Sequence, residues 1–146
     1  MDLKLSGKTA LITGGSKGIG RAIAKTLLAE GADVTLVARD AHQLARTQSE
    51  LRADTAGRVE IIPADLSSDN GRMALVEAVE TPDILINNAG AIRAGRLGDM
   101  SVADWRQDWE LKVFGYIHLC QLFQPKMAEL GSGTILNIIG MAGRVN

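Results

Sequence analysis

Three glycines in the stretch TGGSKGIG, at Gly14, Gly18 and Gly20, fall where a short apolar run gives way to helical spacing. Glycines at such a junction permit positive φ, let a ligand approach the main chain and let the helix lie close to the strand before it. The helix N-terminus beyond them attracts negative charge, which suits a pyrophosphate. One glycine alone would indicate only a tight turn, but the order strand, loop, helix favours nucleotide binding, with Ser16, Lys17 and Ile19 in the same loop. The spacing is G-x-x-x-G-x-G rather than G-x-G-x-x-G, and the loop has no Lys followed by Ser or Thr, so ATP hydrolysis is not expected.

The type of nucleotide depends on the end of the second strand. A carboxylate there would bond the two ribose hydroxyls of NAD and repel the added phosphate of NADP. That place holds Ala38, followed by Arg39. Arg39 and Lys17 together form a cation pair suited to a 2′-phosphate, so NADP(H) is expected in preference to NAD(H). Asp40 complicates this reading and is expected either to turn outward or to pair with Arg39. His42 and His118 lack a second ligand at suitable spacing, so no metal site is expected.

These residues need strands and helices to position them. Thr9–Thr13, Asp33–Ala38, residues 59–64, residues 83–86 and residues 134–139 read as five strands. Between them, Ile19, Ile23 and Leu27 mark one helix, and residues 41–53 a second with Leu44 and Leu51 on one face. A third helix is capped by Ser68 or Asp69 and carries Met73, Val76 and Val79. A fourth, long helix starts at Ser101 with Asp104 three residues on and reaches Leu130, with Pro125 as the expected kink. Strands alternating with helices predict a doubly wound parallel α/β sheet of the Rossmann type, forming one domain over residues 1–146. Ligands in such sheets lie beyond the carboxyl ends of the strands.

The bulk composition fits this picture. The chain has 146 residues with 46% hydrophobic content, and 16 Lys and Arg against 17 Asp and Glu leave a net charge of −1. This balance excludes an overall basic footprint for nucleic acid or for an acidic membrane surface. The N-terminal MDLKLSGK has no apolar signal-peptide core, and no apolar run reaches membrane-spanning length. With a single Cys120 in apolar helical surroundings, expected to pack rather than react, a cytoplasmic location is anticipated.

TGxxxGxG near the start, with Asn87-Asn88-Ala89-Gly90 directly after the fourth strand, resembles the short-chain dehydrogenase/reductase family, and the resemblance runs the full length of the chain. It implies that Asn87, Ala89 and Gly90 border the cofactor and steady the sheet. It also implies that Asp65, with Leu66 beside it, meets the adenine amino group; the competing reading of Asp65 is a turn or capping residue. Members of the family move a proton with a Tyr and a Lys four residues on, while hydride moves between the nicotinamide and carbon. Here the one tyrosine, Tyr116, is followed by Cys120 and reads as an ordinary helix-face aromatic. Gly140 stands at the family's serine place, and Glu110, in Trp109-Glu110-Leu111-Lys112, stands at its asparagine place.

The expected activity is therefore an NADP(H)-dependent interconversion of a small-molecule alcohol and carbonyl, with this chain carrying the cofactor site. The alternative is a non-catalytic NADP(H)-binding sensor. A methyltransferase on a similar sheet fits less well, because no carboxylate ends strand two. The apolar final strand and the turn after it lead to the expectation of an incomplete sheet: the cofactor-binding part of a longer reductase, inactive alone and prone to self-association along that strand. The resemblance also implies a homo-oligomer through the 102–130 helix.

Overall fold

The computed structural model describes residues 3–90 and 95–140. The elements are β1 Thr9–Thr13, α1 Gly18–Ala29, β2 Asp33–Ala38, α2 Ala41–Asp54, β3 Val59–Pro63, α3 Asp69–Ala78, β4 Ile84–Asn87, α4 Val102–Trp109, α5 Gly115–Glu129 and β5 Thr134–Asn137. A 3-10 turn, Leu97–Asp99, precedes α4, and a π-helical turn, Glu110–Phe114, joins α4 to α5.

All five strands pair in parallel in the order β3-β2-β1-β4-β5. Winding runs outward from β1 to β3 and then resumes on the other side of β1, so the switch in direction falls between β1 and β4. Helices cover both faces. Ala24 and Leu28 of α1 and Leu44 and Leu51 of α2 pack on Ile12, Val34 and Leu36. On the opposite face Leu75 and Val76 of α3 and Leu119, Phe123 and Met127 of α5 pack on Leu11, Val37 and Leu85. The middle residues of β1 and β4 are buried, which explains their apolar runs. Among the described residues β5 pairs only with β4, and Leu136 and Ile139 are exposed.

The expected doubly wound sheet is present, with two local differences. Helix α5 continues through Pro125, and the irregular turn lies instead at Glu110–Phe114, where a residue added to the helical turn changes which side chains face the sheet. In α3 the buried face carries Arg72, Leu75 and Val76, whereas Met73 is exposed. The Arg72 guanidinium is buried because five groups accept from it. These are the Leu66 and Glu110 carbonyls, the carboxylates of Asp69 and Glu110, and His118 Nδ1. His118 Nδ1 faces Arg72 Nε at 3.0 Å and lies farther, at 3.5 Å, from Asp69.

At the amino ends of the strands Asp83 joins β1 to β4. It accepts from Lys8 Nζ at 2.8 Å, from the Thr9 amide at 2.9 Å and from the Thr9 hydroxyl at 3.1 Å. The Lys8 and Thr9 hydrogen bonds hold the Asp83 carboxyl below its ordinary value of 3.8. A lowered folded pKa means that this stabilisation is fully present above the ordinary value and is lost as pH falls through the folded one. Asp83→Asn is expected to cost about 1–2 kcal/mol at neutral pH. In urea titrations its difference from wild type should shrink below pH 3.8; a difference independent of pH would contradict this.

Candidate coenzyme site

A cleft of about 490 Å³ opens at the carboxyl ends of β1, β2, β3 and β4, at the switch between β1 and β4. Its first wall is the loop from Gly14 to Ile19. Gly14 has φ +65°, and a Cβ there would lie 2.9 Å from the Cα of Ala89. Gly20, one turn into α1, is closer still, since a Cβ would lie 2.3 Å from the Gly14 carbonyl oxygen. These two glycines allow the loop, the helix and the Asn88–Gly90 segment to meet. A Cβ at Gly18, φ +54°, would point into open space.

Thr13 joins the two loops. Its buried hydroxyl donates to the Ile86 carbonyl and accepts from the amides of Asn88 and Ala89. The Asn88 side chain returns hydrogen bonds to the carbonyls of Thr13 and Gly14. From the other side Thr47 of α2 donates to the Ser16 carbonyl at 2.7 Å, and Gln43 donates to the same oxygen at 3.5 Å. The loop is thus anchored at both flanks by α2 and the β4 end.

Helix α1 begins at this loop with no side-chain cap and no acidic residue in its first turn. By contrast, Asp40 caps α2, Ser68 caps α3 and Ser101 caps α4. Uncapped amides at the mouth of a cleft are free to receive an anion. Lys17 and Arg39 border the same space. Asp40 also lines it, but its carboxylate accepts from the Gln43 amide at 3.0 Å, so it acts as a helix cap and not as the ion-pair partner of Arg39. The Asp65 carboxylate accepts from the Ser67 hydroxyl and amide, and these bonds hold its pKa below the ordinary carboxylate value; Arg39 contributes a smaller push in the same direction.

Of the residues singled out from the sequence, Gly14, Ser16, Lys17, Ile19, Arg39, Asp65, Leu66, Ala89 and Gly90 line this one cleft. Gly18 and Gly20 do not line it; Gly20 instead sets the close approach of α1 to Gly14. Asn87 lies deeper, fully buried, and donates to the Asn137 side chain at 2.8 Å across β4 and β5. Val37, Ala64, Asn88, Gln43 and Leu111 also line the cleft. Asn88 was within the quoted motif, and Gln43 could have been found as the residue one helical turn before Thr47 on α2.

Neither residue at the family's asparagine and serine places lines the cleft. Glu110 does not turn toward the cleft: its carboxylate accepts from Arg72 at 3.0 Å on the far side of the α4–α5 junction. Gly140 is exposed, and nothing lies within 4 Å of a Cβ built there, so it places no functional group near the cleft. Tyr116, expected to be an ordinary helix-face aromatic, is buried, with its hydroxyl at the end of β5, where burial pushes its pKa up to about 12. Cys120 is half-buried beside Asn87 and Asn137. Met141, Ala142 and Gly143 lie outside the described residues. Among the described residues no group of three His, Cys, Asp or Glu gathers, and no helix is long and apolar enough to cross a membrane.

The family model described as short chain dehydrogenase matches residues 8–146. The chain belongs to the short-chain dehydrogenase family. The uncharacterized oxidoreductase YvrD of Bacillus subtilis is 39% identical over 146 residues, covering 98% of this chain and 55% of that protein. The 7alpha-hydroxysteroid dehydrogenase of Escherichia coli K12 is 37% identical over 145 residues, covering 97% of this chain and 56% of its own length. Among solved structures, L-sorbose reductase from Gluconobacter frateurii, complexed with NADPH and L-sorbose, superposes with a TM-score of 0.86 at 37% identity. That match covers 92% of this chain and 53% of the reductase. The short-chain dehydrogenase chain described here thus spans about half the length of the curated relatives it matches.

Proposed function

We propose that the chain carries the coenzyme site of an NADP(H)-dependent oxidoreductase that interconverts an alcohol and a carbonyl. The observation that carries this reading is the uncapped start of α1 opening into a cleft beside Lys17 and Arg39. The cradle fits the coenzyme: the pyrophosphate would meet the α1 amides over Gly18, and a 2′-phosphate would meet Lys17 and Arg39 at the end of β2. Asp65 would accept from the adenine amino group, its ionised form being favoured by Ser67. The nicotinamide, when bound, supplies or accepts the hydride. This chain's own residues bind and orient it, and Thr13 and Asn88 hold the two cleft loops in register for it. Solved relatives in complex with NADPH or NADP add support.

A coenzyme-binding sensor is the second reading, favoured by Gly140 and by Glu110 facing Arg72. The 146 residues contain no tyrosine with a lysine four places on, so for them alone the proposal is binding without turnover. Exposed Val102, Trp109, Phe114 and Ile117 support self-association along residues 102–130.

Calorimetry distinguishes these readings from none at all. NADPH is expected to bind at least about tenfold more tightly than NADH. Lys17→Ala and Arg39→Ala should each weaken NADPH about tenfold and leave NADH little changed, with the NADPH preference falling as salt rises. Equal affinity for both coenzymes would remove the phosphate reading, and no affinity for either would remove the coenzyme site. Carbonyl-dependent NADPH oxidation by a longer chain, set against binding without oxidation, separates enzyme from sensor.

A further inference from the structure

Lys112 lies in the π-helical turn between α4 and α5, two residues from Glu110, and points the opposite way, toward the sheet. Its aliphatic stem lies against Gly90, where a Cβ would come 3.1 Å from Lys112 Cδ and 3.3 Å from its Cβ. Its ammonium donates at 2.7 Å to the Ile138 carbonyl, just past the end of β5. It also donates at 2.7 Å to the hydroxyl of Tyr116, one helical turn on, and that hydroxyl donates in turn to the Ile138 carbonyl at 3.2 Å. The three groups close a small ring of hydrogen bonds.

We propose that Lys112 is a positioning residue of the coenzyme site, a single side chain that fastens the segment after β4 to the end of β5. The inference rests on the coenzyme reading above. Three observations carry it. Gly90, against which its stem lies, and Leu111, its neighbour in the chain, form part of the cleft wall together with Ala89. The β4–β5 ladder ends with the Ile138 amide on the Asn87 carbonyl, so the Ile138 carbonyl is the next group along the chain that the sheet itself does not hold. A lysine also suits the span: four methylenes cross from the helix to the strand end and deliver a charged donor there, with Tyr116 shielding it 4.8 Å from its ring centre. Burial disfavours the ammonium and lowers its pKa, while its donors face the Tyr116 hydroxyl and the Ile138 carbonyl.

The test compares Lys112→Met, Lys112→Arg and Tyr116→Phe with wild type in the 146-residue chain, reading NADPH affinity by fluorescence and amide hydrogen exchange by NMR. Lys112→Met is expected to weaken NADPH about tenfold and to speed exchange at Ala89, Gly90 and Ile138, with the amides of β1 to β3 unchanged. Lys112→Arg, which keeps charge and donors, should restore affinity to within about threefold of wild type. Lys112→Met with wild-type affinity and exchange would overturn the proposal. So would Lys112→Arg as impaired as Lys112→Met, because side-chain volume would then be what matters. Should Lys112→Met not fold, Tyr116→Phe decides: faster exchange at Ile138 supports the clamp and unchanged exchange rejects it. If wild type binds no nicotinamide coenzyme, the coenzyme reading fails on its own, and the exchange measurements still decide whether the clamp exists.

Discussion

Gly20→Ala is expected to abolish measurable NADPH binding and to destabilise the fold by about 3 kcal/mol, at the upper end of the cost of overpacking. The added methyl would lie 2.3 Å from the Gly14 carbonyl oxygen and 2.6 Å from Asn88 Nδ2. Neither neighbour is the free end of a flexible chain. The Gly14 oxygen is backbone, and the Asn88 amide is committed to the carbonyls of Thr13 and Gly14. Relief requires α1 to move off the sheet or the loop to lift, and either movement takes the α1 amides out of the cleft. Gly18→Ala is the matched control, because a Cβ there meets nothing within 4 Å and its cost is that of a positive φ, about 1–2 kcal/mol. Chemical denaturation and coenzyme titration of the two variants check the contrast. Equal losses at both positions would show that the close approach of α1 to Gly14 does not matter.

Arg72→Met is expected to cost about 3–4 kcal/mol, among the larger single-residue effects in the chain. The side chain is only 1% exposed, and removing its charge strands the Leu66 carbonyl, which it reaches at 2.7 Å, together with the Glu110 carbonyl. The carboxylates of Asp69 and Glu110 are 75% and 42% exposed and can turn to water, which keeps the cost below that of a fully enclosed ion pair. Lys in its place should recover little, since a single ammonium cannot reach five acceptors arranged round a planar fork. Urea unfolding measures the loss. A destabilisation below about 1 kcal/mol would mean that the network is no more than a surface ion pair.

How much could be read from the sequence depended on the range of the interaction concerned. The strands and the glycine loop were legible because their signals are local: an apolar run, a small-residue turn, then helical spacing within about a dozen residues. Arg72 was not, because its partners Glu110 and His118 lie 38 and 46 residues away and only the packing of α3 on α5 brings them together. Glu110 and Lys112 show a second limit. Residues two apart on a helix point about 200° apart, so a motif aligned by letters alone can name the side chain facing away from the site. The π-helical turn at that place made the choice harder still. Asp40 was legible in principle, since an Asp followed three residues later by Gln at a helix start is a capping signal.

The single hydroxyl of Thr13 serves three partners on the β4 side of the cleft. That makes the seam between β1 and β4 a weld and not a hinge: neither lip can swing without breaking bonds shared by both. Among the described residues, this part of the mouth is fixed before anything arrives, while Arg39 and Asp65 stand exposed on the opposite rim, where a ligand could still reshape it.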